Sequence, residues 1–138
     1  MKQLVIDAGP LIGLFYAKDT DHAQCVAGFT QLIQAKTILL TPIPIVFEVY
    51  KWLLQRTSPQ QAQKTLQVMQ DSLHLIPVEK TDFDTLQAFV LALPQWQGTL
   101  EDAIVITTAL RYRCPVWTLN YRDFGTFKTL EFWTPNSY

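Results

Sequence analysis

Asp7, Glu48, Asp102 and Asp123 are spread over the whole chain, yet each stands in an apolar stretch: LVIDAGPLIGLF, PIVFEVYKWLL, TLEDAIVITTAL and VWTLNYRDF. A carboxylate carried by core-forming sequence is costly to bury unless something offsets its charge. Four such groups that converge have one common partner, a divalent cation, whose preferred ligands are hard oxygens. The chemistry this permits is that of a metal-dependent enzyme, in which a cation activates water and stabilises developing negative charge.

Each acid also has an ordinary structural role to weigh. Asp7 precedes Gly9-Pro10 and can cap a turn or a helix start, and Asp123 can cap the short turn at Phe124-Gly125. Glu48 is flanked at helical spacing by Ile45 and Trp52, which leave it little solvent, although Lys51 three residues on offers a local ion pair. Thr99-Leu100-Glu101-Asp102 fits the capping box of a helix start. That role is compatible with metal binding, because a helix amino terminus favours the anionic carboxylate.

The elements that must position these acids alternate between strand and helix. Residues 3–6 read as a buried strand followed by a helix start at Gly9-Pro10, and 22–34 carry apolar residues at helical spacing. A strand is expected at 37–40, then a largely buried helix over roughly 44–56. Ser58-Pro59 should cap and open a polar helix to about residue 72. LHLIPV at 73–78 reads as a third strand, with Thr81 capping a helix that ends by Pro94. A helix from Thr99 to about Arg113 leads to a fourth strand, VWTL, and LEFW near the carboxyl end suggests a fifth. This order argues for an α/β fold, a three-layer α/β/α sandwich with a mainly parallel central sheet, formed by residues 1–138 as one domain. Ligands of open parallel sheets collect at the carboxyl ends of the strands, where Asp7 and Asp123 fall.

With 49% hydrophobic residues the chain can build one sizeable core. Eleven Lys and Arg against twelve Asp and Glu give a net charge of -1, so any contact with nucleic acid must be local rather than driven by a global field. Cys25 and Cys114 have no framework or CxxC spacing, which suits free thiols in a reducing cytoplasm. Neither a signal peptide nor a membrane anchor is visible, and His22 and His74 lack zinc spacing.

Taken in order, these segments resemble the PIN domain family from Leu4 to about Trp133. The resemblance lies in Asp7-Ala8-Gly9 after the first strand, Glu48 inside an apolar helix, Asp102-Ala103 running to Ala109-Leu110, and the segment Thr118-Leu119-Asn120-Tyr121-Arg122-Asp123-Phe124. It implies a ribonuclease that uses Mg²⁺ or Mn²⁺, often the VapC-type toxin of a toxin–antitoxin pair. Asp7, Asp102 and Asp123 would then hold metal, with Glu48 binding directly or through water. The four acids would be catalytic, and Thr118, Asn120 and Arg122 would face the RNA substrate. Asn120 departs from the pattern, since many family members carry Asp there; the local charge is lower, which weakens any second metal site. The resemblance further implies a cognate antitoxin covering the acidic cleft, and the composition permits a homodimer.

Arg111, Arg113 and Lys128 are further candidates for phosphate contact, although cations in the last turn of a helix are favoured without any ligand. Core packing is the competing explanation for Trp52, Trp96, Trp117 and Trp133, which otherwise could stack bases. The alternative function is a PIN-like module that binds RNA or protein without cutting. A small phosphatase of the Asp-x-Asp type ranks below it, because Gly9 occupies the second acidic position.

Overall fold

A computed structural model describes residues 1–136. The chain runs β1 (Gln3–Ile6), α1 (Ala8–Phe15), α2 (His22–Gln34), β2 (Ile38–Pro42), α3 (Ile43–Arg56), α4 (Pro59–Ser72), β3 (His74–Ile76), α5 (Lys80–Leu91), α6 (Leu100–Tyr112), β4 (Val116–Trp117) and α7 (Tyr121–Phe124). Four strands form one sheet in the order β3-β2-β1-β4, all parallel. The α/β sandwich expected from the alternation of elements is the architecture found.

The strand order decides where a site can form. From β1 the chain steps outward to β2 and again to β3, then returns past β1 to place β4 on its other side. Right-handed crossovers in opposite directions put α1 to α4 on one face of the sheet and α5 and α6 on the other. Contacts agree, since α1 packs on α2 and α3, α3 on α4, and α5 on α6, which itself lies against β1, β2 and β4. The reversal makes the carboxyl ends of β1 and β4 the topological switch point, the place where open parallel sheets bind ligands.

Local chemistry explains most boundaries. The Ser58 hydroxyl accepts from Gln61 N at 3.1 Å with Pro59 opening α4, as expected from the sequence. Helix α6 begins with a full capping box, in which Asp102 N donates to Thr99 Oγ1 at 3.0 Å and Thr99 N donates to Asp102 Oδ2 at 3.1 Å. Helix α5 starts earlier than a Thr81 cap would allow. Its cap is Glu79, whose backbone N–H donates to Asp82 Oδ2 at 2.9 Å, and Thr81 falls within the first turn.

Three strands are shorter than their apolar runs, and β3 keeps only His74–Ile76 of the 73–78 expected. Strand β4 stops at Trp117 because its partner β1 ends at Ile6 and turns into α1 at Ala8, leaving no further rung. The LEFW segment is reduced from a fifth strand to a single parallel bridge, Val116 to Phe132, since a two-residue β4 offers no second rung. The segment still docks through its side chains, with Leu130 buried and the Trp133 ring 4.9 Å from that of Trp117.

Helix α3 is also less enclosed than its composition suggests. Ile45, Val46, Val49 and Leu53 are buried, but Phe47 is 72% exposed and Leu54 is also open. The reason is that α4 covers only one flank of α3 and leaves an apolar groove of about 400 Å³ lined by Val46, Phe47, Tyr50, Lys51 and Leu66.

Trp117 anchors the core, packed against Phe29 of α2 with ring centroids 4.8 Å apart. Gly28 makes that approach possible, because a Cβ there would overlap the Trp117 ring edge and lie 2.8 Å from Pro135 Cγ. Gly28→Ala should therefore destabilise the protein by roughly 1–3 kcal/mol through overpacking, despite the better helix propensity of alanine. Urea unfolding checks this, and a stability equal to or above wild type would contradict the packing argument.

Candidate active site

Asp7 follows β1 directly and is only 5% exposed. Its Oδ2 accepts from Thr118 Oγ1 at 2.8 Å, a bond joining the ends of β1 and β4 across the switch point. Thr118 Oγ1 also accepts from Asn120 N at 2.9 Å, and the Asn120 side chain then caps the short α7. Asn120 Nδ2 donates to Asp123 Oδ2 at 3.1 Å, while Asp123 N donates to Asn120 Oδ1 at 3.4 Å. Asp123 is thus tied to Asp7 through two intervening residues. The cap of this turn is Asn120 rather than Asp123.

Burial pushes the Asp7 carboxyl up to about 6, against the lowering effects of the Thr118 and Ala8 hydrogen bonds and with a further upward push from the Asp102 charge. Glu48 keeps solvent access, contrary to the expectation that its apolar neighbours would enclose it. Even so, partial desolvation in the crevice raises it to about 7, followed by the charges of Asp7, Glu101 and Asp102. Among the described residues no salt bridge reaches either group, so the Lys51 pairing open to Glu48 is not made.

Asp7, Glu48 and Asp102 therefore share one electrostatic environment despite coming from three distant parts of the chain. Asp123 is not among the charges that raise Asp7 or Glu48, and joins them through the hydrogen-bond chain alone. Glu101 is the one group here that the capping-box reading contained without a role at the site. The signal was present, since it immediately precedes Asp102 in the first turn of α6, but a helix start enriched in acids is ordinary and carries no information about a crevice.

The donor set fits a hard divalent cation in its chemistry. The donors are all carboxylate oxygens, no salt bridge reaches the buried one among the described residues, and the repulsion between them is what bound positive charge would relieve. Among the described residues no three Asp, Glu, His or Cys side chains stand close enough together to enclose an ion.

The PIN domain model matches residues 4–128. The chain belongs to the PIN domain family. No curated protein matches its sequence, whereas solved structures share its fold at low identity. VapC20 of Mycobacterium tuberculosis, a Sarcin-Ricin loop cleaving toxin, superposes with a TM-score of 0.76 at 11% identity, over 89% of this chain and 94% of that one. VapBC2 from Rickettsia felis, bound to a DNA fragment from its promoter, gives 0.76 at 11% identity, over 95% and 97%. A toxin–antitoxin complex from Klebsiella pneumoniae gives 0.67 at 19% identity, over 98% and 99%.

The remaining residues of this PIN domain sort by their contacts. Arg111 is committed to Asp82, with Nη1 2.8 Å from Oδ1. Arg122 has a side chain 90% exposed, its Nε 3.7 Å from Asp123 Oδ1, which leaves it free to meet a ligand approaching from solvent. Trp117 is core, Trp133 packs on it, Trp96 stacks with Phe89 and Phe127, and Trp52 meets Tyr16 edge-on and lies under Arg56. Packing thus accounts for all four tryptophans. No helix among the described residues is long and apolar enough to cross a membrane.

Proposed function

We propose that this PIN domain is an endoribonuclease dependent on Mg²⁺ or Mn²⁺, and the toxin of a type II toxin–antitoxin pair acting in the cytoplasm as a single domain. The observation that carries the reading is Asp7: a carboxylate buried at the switch point, raised to about 6, within the electrostatic reach of Asp102 and Glu48 and, among the described residues, in no salt bridge. Such an arrangement costs stability and is retained where the charge has work to do.

In this reading Asp7, Asp102 and Asp123 hold the metal, and Glu48, being more open to solvent, binds it directly or orients a water. A bound divalent cation would supply an activated water and stabilise charge on the scissile phosphate and leaving oxygen. Hydrolysis of the phosphodiester then leaves 5′-phosphate and 3′-hydroxyl ends. The exposed guanidinium of Arg122 is placed to meet an RNA phosphate, a local contact that the net charge of -1 does not preclude.

The partner we propose is an antitoxin, supported by the complexes among the structural neighbours. The exposed Phe47 and its apolar groove adjoin Glu48 on α3, so one segment of a partner could cover both the groove and the acidic crevice. Co-expression with the product of a short reading frame directly upstream should yield a stable complex in which Phe47 is protected. A homodimer is compatible with the same exposed apolar residues.

A second reading, a PIN-fold module that binds RNA or protein without cutting, is favoured by the separation of the acids in the described residues. One assay separates the two. Purified protein with structured and single-stranded RNAs should cleave in Mg²⁺ or Mn²⁺, and both EDTA and Glu48→Gln should remove most of the activity. A folded protein that cuts none of these RNAs, or one whose cleavage survives EDTA, would decide against the nuclease reading.

A further inference from the structure

Asn120 stands where a carboxylate would add a second negative charge beside Asp123 after β4, and the geometry gives its amide a different use. A carboxylate side chain can only accept, whereas Asn carries both an acceptor and a donor. Here both are engaged by one residue: Oδ1 accepts from Asp123 N and Nδ2 donates to Asp123 Oδ2. Asp in the same place could still cap α7, but it would have no donor for the Asp123 carboxylate and would repel it. The Asn120 backbone N–H, meanwhile, is bound to the Thr118 hydroxyl that holds Asp7.

We propose that Asn120 is a positioning residue whose side-chain amide orients the Asp123 carboxylate while its backbone N–H, bound to the Thr118 hydroxyl, ties that turn to Asp7, so that two acids 116 positions apart in the chain are held in a fixed relation at the site. The proposal rests on the metal-dependent reading for its purpose but not for its geometry. It also gives Asn120 a role other than contact with substrate. Arg122 cannot substitute for the amide, since it sits 3.7 Å from the other Asp123 oxygen and is almost wholly solvated. Without Asn120, little holds Asp123 in one rotamer.

A double-mutant cycle on Mn²⁺ affinity, measured by calorimetry on the full chain, tests the purpose. Asn120→Ala should weaken Mn²⁺ binding roughly tenfold, the usual cost of losing a partner that orients a metal ligand. In an Asp123→Ala background the same substitution should change affinity by less than about twofold, because the group it positions is gone. A full effect of Asn120→Ala without Asp123 would overturn the proposal, as it would show Asn120 acting on its own.

Nuclear magnetic resonance of the metal-free protein tests the geometry separately. Asp123→Ala should shift the Asn120 side-chain amide resonances together with the backbone amides of Thr118 and Asp7. The shifts at Thr118 and Asp7 should vanish in an Asn120→Asp background, which keeps the size and the capping oxygen but exchanges the amide donor for a negatively charged oxygen. An unmoved Asn120 amide would overturn the proposal. If wild type binds no Mn²⁺, the metal-dependent reading fails while the resonance experiment still decides the role of Asn120.

Discussion

Asp7→Asn should slow RNA cleavage by roughly two to three orders of magnitude and at the same time make the metal-free protein more stable. The loss follows from the proposed function. Removing one group that acts on charge at the reacting phosphate costs on the order of 10²–10³ in rate, and Asp7 is the most buried of the four acids, with the least room for another ligand to replace it. The gain in stability follows from burial alone. A shift from the ordinary value of 3.8 to about 6 corresponds to a ceiling of about 3 kcal/mol lost when this carboxylate ionises in the folded protein. Asn keeps the shape and an oxygen for the Thr118 hydroxyl and carries no charge to bury. A gain of roughly 1–3 kcal/mol should raise Tm by several degrees in EDTA at pH 7.5. A variant that melts below wild type while losing activity would mean that Asp7 supports the fold rather than burdening it.

The second large effect is the pH dependence of stability without metal. Both Asp7 and Glu48 titrate higher in the folded chain, at about 6 and about 7, than in the unfolded chain, near 4. Between about pH 4 and pH 7 the native state therefore binds more protons than the unfolded state, and the free energy of unfolding falls as pH rises through that window. Stability should be highest near pH 5, decline toward pH 7.5 and then level off, the reverse of a protein held by carboxylate salt bridges. Mn²⁺ at saturation should flatten or invert the decline, because it binds the deprotonated acids. Urea titrations at several pH values, with EDTA or with Mn²⁺, would show this. A metal-free stability that rises between pH 5 and pH 7 would remove the electrostatic basis of the site.

Much of the fold could be read from local chemistry. Ser58-Pro59, the Thr99 to Asp102 capping box and the helical spacing of 22–34 depend on neighbours a few residues apart, so the elements they set appear where the sequence places them. The misplaced boundaries involve longer-range competition. Thr118 has the β-branched side chain of a strand residue but falls just beyond the strand, because the neighbouring β1, from the far end of the chain, has already turned into α1. Glu48 lies in an apolar sequence and is nonetheless open to solvent, because α4 packs on only one side of α3.

For the candidate site, sequence determined which residues carry acid and which elements carry them, since residue types and short-range periodicity are written in the chain itself. It also carried the departure at Asn120. Tertiary structure alone decided that the return crossover sets β4 beside β1, that Asp7 is buried between them, that Glu101 adds its charge to the crevice, and that the Asn120 amide turns inward to Asp123. The physical reason is that burial and like-charge repulsion are properties of distance in space: no spacing along the chain encodes how closely the end of one strand approaches the end of another.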